Sequence, residues 1–236
     1  MKTKKFTSNI KSFFEIIFSI SGYVPKHATI IRTLAFLFSF FLVFYLTIFH
    51  PKNSEIAIIY FIISIILYFG FITFVLRKNG YRLWFIKKWG KERGYLIYEG
   101  ILGFLFFNTG ASISYVSLST SGKLFGFVDE NFLLFVVVFL FITGFVTKIW
   151  STAVTSIDTY YWRDMFLRKK ICKFTTKGPY KYISNPMYSV GQLQSYAVAI
   201  YYQSVYGLIV AVLYQLRTYL FYYNIEKRFL KEIYRI

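Results

Sequence analysis

The residues best suited to chemistry lie between Thr176 and Gly191, in the run Thr-Lys-Gly-Pro-Tyr-Lys-Tyr-Ile-Ser-Asn-Pro-Met-Tyr-Ser-Val-Gly. Long apolar runs flank it on both sides, yet this short stretch holds Tyr180, Tyr182, Tyr188, Lys177, Lys181 and an Asn-Pro step. Gly178-Pro179 breaks a helix and sets a turn. Pro186 pushes Asn185 away from helical geometry and suits the first position of a new helix. A loop this rich in polar and aromatic groups, at the mouth of a membrane helix, is where a site is expected. Metal chemistry is not expected. The only cysteine is Cys172, and the two histidines, His27 and His50, lie far apart, so no ligand spacing is present.

The elements that position this loop must be membrane helices. The 236 residues are 56% hydrophobic and 23% aromatic, with a mean hydropathy of +0.49, which a water-soluble domain does not show. Residues 6–24 read as an interfacial amphipathic helix ended by Pro25. Spans follow at Ile31–Phe49 and Ile56–Leu76, the two forming a hairpin about the turn His50–Ser54. A third runs from Tyr95 to about Val116. The fourth runs from Phe132 to about Ile149, its helix continuing toward Trp162. Two more helices, Pro186–Tyr202 and Tyr206–Tyr223, bend at Gln203-Ser204, and the charged tail continues the last one. The fold class expected is therefore all-α: a polytopic transmembrane bundle of about six spans.

The net charge of +18 fits membrane flanks better than nucleic acid, which is not expected as a partner. Of 28 Lys and Arg, 26 fall in segments assigned to one side, and only Lys52 and Lys123 fall on the other. The positive-inside bias then places both termini in the cytoplasm. Glu99 lies inside a span and is a functional candidate by position. It follows closely on Arg93, however, and is expected to reach water at the interface. Asp158 and Arg163 have the same ambiguity. The basic runs are expected to anchor on anionic lipid, and Cys172 is expected to be an inert thiol.

The order Gly178-Pro179-Tyr180-Lys181-Tyr182, then Asn185-Pro186-Met187-Tyr188, resembles the signature of the isoprenylcysteine carboxyl methyltransferase and phospholipid methyltransferase superfamily. These are integral-membrane enzymes that use S-adenosylmethionine (SAM). The run Met187–Gly191 is similar to the phosphatidylethanolamine branch, and Glu226-Lys-Arg-Phe-Leu230 resembles the C-terminal E-E-x-x-L. The resemblance covers about the last third of the chain. It implies a division into residues 1–29 (interfacial segment), 30–162 (transmembrane helices) and 163–236 (catalytic region). It also implies a C-terminal helical hairpin over a cytoplasmic-side cofactor pocket. Gly178, Pro179, Tyr180, Lys181, Asn185, Pro186, Tyr188 and Glu226 would form that pocket, with Glu226, Tyr188 and Asn185 the catalytic candidates. The bilayer and a lipid-like methyl acceptor would be the partners, and the setting a bacterial inner membrane or the endoplasmic reticulum.

Methyl transfer from a sulfonium needs alignment and exclusion of water rather than a metal or a covalent nucleophile. No G-x-G-x-x-G is present for a sheet-borne nucleotide site. Two positions depart from the pattern: Ser184 stands for its Arg and Lys227 for the second Glu, so Lys181 or Lys177 would have to pair with the cofactor carboxylate. The acceptor stays open between the amine of an aminophospholipid, which is favoured, and the carboxylate of a prenylated cysteine. A membrane NADPH-dependent reductase of the sterol-reductase type and a non-catalytic membrane protein or transporter are the competing readings. The extra Arg and Asn contacts of the first and the internal repeats of the second are not found.

Overall fold

In a computed structural model the structure describes residues 12–171 and 175–235. Cys172 and the first part of the expected interfacial segment lie outside them. Residues 12–20 form α1, which buries Ser19 and Ile20 on the bundle and leaves Phe13, Phe14 and Phe18 exposed. Then come α2 (Ile30–Phe49), α3 (Ser54–Leu76), α4 (Arg82–Trp89), α5 (Lys91–Ser119) and α6 (Glu130–Thr155). Two short helices follow, α7 (Ile157–Tyr160) and α8 (Arg163–Leu167). After the irregular stretch that holds the loop come α9 (Leu193–Tyr201), α10 (Val205–Phe221) and α11 (Lys227–Tyr234). The expected all-α polytopic bundle is the fold observed. Among the described residues five helical runs are long and apolar enough to cross a membrane, the last being Val205–Tyr234. At a rise of about 1.5 Å per residue even α2 reaches about 30 Å.

Side-chain caps explain where several of these helices begin. Asn53, Asp129 and Ser204 accept from the backbone N–H of Ile56, Phe132 and Gly207, starting α3, α6 and α10. The bend at Gln203-Ser204 is as expected, with Gln203 at φ 48°. Pro186 does not start a helix. Residues 186–189 form turns, and α9 begins only at Leu193.

The two ends of the bundle are distinct. At one end the Tyr115 hydroxyl donates to the His50 carbonyl at 2.8 Å, and Gly122 N–H donates to the Tyr202 carbonyl at 3.1 Å. The α2–α3, α5–α6 and α9–α10 turns therefore lie together there. Since α6 leaves that end and α9 returns to it, the loop and nine-residue α9 together bring the chain back along the bundle.

Helix α5 is the axis. It buries Tyr95, Tyr98, Leu102, Ile113 and Val116 against α3, α10 and α8. Midway along it Asn108 accepts from Tyr60 of α3 at 2.7 Å and donates to Ser39 of α2 at 2.9 Å. Such interhelical hydrogen bonds hold helices together where lipid removes the hydrophobic drive.

Glu99 does not reach water, contrary to expectation. Its side chain is fully buried, with Oε2 2.7 Å from His27 Nδ1 and 3.1 Å from Arg32 Nη1. Arg32 also donates to the His27 carbonyl, so one carboxylate ties the N-terminal segment to α5. Arg163 bridges Asp158 at 3.0 Å and Glu92 at 2.5 Å, fixing α8 against α5.

The N-terminal segment also makes a glycine-to-glycine approach: a methyl at Gly103 would collide with the Gly22 carbonyl oxygen, whereas one at Gly110 meets nothing within 4 Å. Gly103→Ala is therefore expected to destabilise the protein by about 1–3 kcal/mol through overpacking. Gly110→Ala, which relieves the helical cost of glycine, is expected to be neutral or mildly stabilising. Thermal unfolding of the two variants in detergent checks the contrast.

Candidate functional site

The backbone breaks that make room for a site cluster between α6 and α8. Ser156 (φ 119°), Trp162 (φ 54°) and Arg168 (φ 50°) all take positive φ. For a residue as bulky as Trp162 this is an uncommon and strained conformation, of the sort that clusters at functional sites. It turns the chain back so that the Trp162 ring packs edge-on against Phe221 of α10, with centroids 5.1 Å apart.

The loop then begins with a 3-10 turn at Gly178–Lys181. Gly178 sits at φ 60° against α6, where a Cβ would lie 2.8 Å from the Trp150 indole nitrogen. Only glycine meets both conditions without strain. Beyond it the backbone is closed by its own hydrogen bonds. Tyr188 and Ser189 N–H donate to the Asn185 carbonyl at 3.1 Å, and Gly191 N–H donates to the Pro186 carbonyl at 2.8 Å.

Gln215 of α10 pins this turn from outside. Its Nε2 donates to the Tyr188 carbonyl at 3.0 Å, and its Oε1 accepts from Tyr196 of α9 at 2.6 Å. On the same side the helix that follows α10 widens into a π-turn at Tyr222–Glu226. Such insertions are frequent at functional sites. This one ends at Glu226, whose Oε2 accepts from the Tyr188 hydroxyl at 2.6 Å.

Loop and π-turn thus meet over one cavity of about 1370 Å³, its open mouth included. Tyr180, Asn185, Tyr188 and Glu226 line it, together with Ser184 and Met187. Gly178, Pro179, Lys181 and Pro186 do not: Pro179 and Pro186 are buried in the loop's own packing, and Lys181 is exposed, its ammonium over the Tyr182 ring. Neither Lys181 nor Lys177 reaches the cavity. Burial, and then the Glu226 carboxylate nearby, push the Tyr180 hydroxyl above its ordinary value, so it stays protonated.

Several lining residues were not singled out from the sequence. Trp162 and Asp164 are among them, and Asp164 is hydrogen-bonded by Tyr234 of α11. Gln192 is another, and Lys148 of α6 is the least expected, since it had been counted as a flanking charge. One signal was available: Lys148 lies inside the apolar run ending at Ile149, where an ionisable group is a candidate by default.

Residues 132–236 match the phospholipid methyltransferase family model. The matched region bears out the resemblance and reaches further back than the last third, taking in α6 and its Lys148 as well as the loop and Glu226. No curated protein and no solved structure matched the chain.

Gln215 supplies the donor that holds the loop, so Gln215→Leu is expected to leave the Tyr188 carbonyl and the Tyr196 hydroxyl without partners. The expected cost is about 1–3 kcal/mol. Limited proteolysis should show faster cleavage within residues 182–191 than in the unaltered protein.

Proposed function

We propose that the protein is an integral-membrane methyltransferase that takes its methyl group from SAM and delivers it to the amine of a phospholipid. The observation that carries this reading is the Tyr188–Glu226 hydrogen bond, which closes the loop over the cavity within the region matching phospholipid methyltransferases. The chain's own groups fit a cationic sulfonium nucleoside. Two carboxylates, Glu226 and Asp164, line the cavity, and Trp162, Tyr180 and Tyr188 offer aromatic surface that attracts cations and accepts stacked rings.

SAM, when bound, supplies an electrophilic methyl on a good leaving group. The protein's contribution is then binding, orientation and exclusion of water. Tyr188 holds Glu226 Oε2 in place. The carboxylate attracts positive charge and takes the proton that a phospholipid amine must lose before it attacks. Asn185 offers an amide to the cofactor's polar groups. Phe69, Ile72, Leu102 and Phe221 form apolar walls that keep water from the reacting atoms.

The sidedness follows from charge. At the bundle end shared by the α2–α3, α5–α6 and α9–α10 turns Lys52 and Lys123 are the only Lys or Arg among the connecting residues. Under the positive-inside bias the opposite end, with the loop and Glu226, faces the cytoplasm, where SAM is available.

Purified protein incubated with methyl-labelled SAM and aminophospholipid vesicles is expected to yield labelled lipid. Glu226→Gln keeps an acceptor for Tyr188 but removes the charge, and Tyr188→Phe removes the donor. Each is expected to weaken SAM binding by about tenfold or more. Unchanged SAM affinity in both variants would place the cofactor elsewhere, and no labelled lipid with any phospholipid would overturn the reaction.

A further inference from the structure

Lys148 lies within a membrane-spanning helix, seven residues before the end of α6 at Thr155, and is 4% exposed. A buried ammonium is costly unless something pairs with it. Glu99, the other charge buried within a long apolar helix, is paired with Arg32 and bonded to His27. Lys148 has no carboxylate partner among the described residues. Its Nζ lies 5.9 Å from the Phe106 ring centroid, and the side chain lines the cavity. Beside it Gly191 keeps the loop close, a Cβ there being 3.0 Å from Lys148 Cγ. Next along is Gln192, also 4% exposed and lining the cavity, whose Oε1 has no hydrogen-bond partner among the described residues. An unpaired cation lining one cavity calls for a ligand that carries an anion.

The two ends of the cavity differ in sign. Tyr180, beside Thr155, lies near Glu226, so the carboxylate end is level with the close of α6. Lys148 is about 10 Å deeper along the helix axis, toward the bilayer centre. We propose that Lys148 is the anchor for the phosphodiester of the acceptor phospholipid. A lipid whose chains run toward the bilayer centre carries its phosphate on the membrane side of its amine. With the phosphate on Lys148, the amine is directed toward Glu226. This rests on the methyltransferase reading for its purpose, but the binding does not require methyl transfer. The alternative anion, the carboxylate of SAM, arrives from water and belongs with the sulfonium at the Glu226 end.

The test is the affinity of dihexanoyl phosphatidic acid, which has the phosphate without the amine, for the full-length protein in detergent without SAM. Lys148→Met is expected to weaken it by about tenfold or more, while Lys148→Arg keeps it within about threefold. Lys88→Met, an exposed surface lysine, controls for attraction to the basic surface and is expected to change nothing. Dihexanoylglycerol binding and SAM binding should also be unchanged in Lys148→Met. Because the substitution removes a buried charge, the thermal midpoint of the ligand-free protein should hold or rise. Unchanged phosphatidic acid affinity, an equal loss in Lys88→Met, or a loss confined to SAM binding would each overturn the assignment. So would a lowered midpoint with lipid affinity intact. Loss of phosphatidic acid binding with no methyl transfer by the unaltered protein would sink the proposed reaction and leave the phosphate site standing.

Discussion

Backbone that leaves helical geometry among membrane helices must find its hydrogen bonds within the protein, because lipid supplies none. Residues 178–191 meet that constraint through a small set of groups. Asn185 and Pro186 carbonyls take N–H groups from their own loop, Gln215 takes care of the Tyr188 carbonyl, and Tyr188 spends its hydroxyl on Glu226. The same bonds that make the loop tolerable also bring one tyrosine and one carboxylate to the wall of a cavity. Structural satisfaction and site geometry are one network here, which is why a polar loop can be both buried and available to a ligand.

The charges sort in a related way. Arg32 pairs with Glu99, His27 bonds the same carboxylate oxygen, and together they hold the N-terminal segment to α5; Arg163 ties α8 down with Asp158 and Glu92. Once those structural pairs are set aside, the charged groups left facing the cavity are few. Glu226 and Asp164 stand toward one end with tyrosine donors, and Lys148 stands at the other. A cavity with opposite signs at its two ends suits the proposed meeting of a cationic donor with the phosphate of a lipid.

Much of this was legible in the sequence because the bilayer writes simple rules. Apolar length gave the helices of the first half nearly to their ends, and glycine and proline marked the loop. Gln203-Ser204 marked a real bend because Ser204 caps α10 and Gln203 takes a left-handed conformation. What escaped depends on tertiary contact. Pro186 is a good helix starter, but the bond from Gly191 N–H to its carbonyl commits the segment to a tight turn, delaying α9 to Leu193. Glu99 looked free to reach water because its partners, His27 and Arg32, are about seventy residues away in sequence. The π-turn ending at Glu226 leaves no local signature, and neither does the positive φ of Trp162. Lys148 was visible but misassigned, since a span trimmed at Ile149 makes it look like a flank.

The central claim is that the loop and the π-turn close over the same ligand. Hydrogen exchange with and without S-adenosylhomocysteine, the demethylated form of the cofactor, tests it most directly. Amides in residues 178–192 and in Tyr222–Glu226 should slow together when the nucleoside is added, with the α2–α3 hairpin unaffected. Protection of only one of the two segments, or of neither while another region slows, would contradict the account.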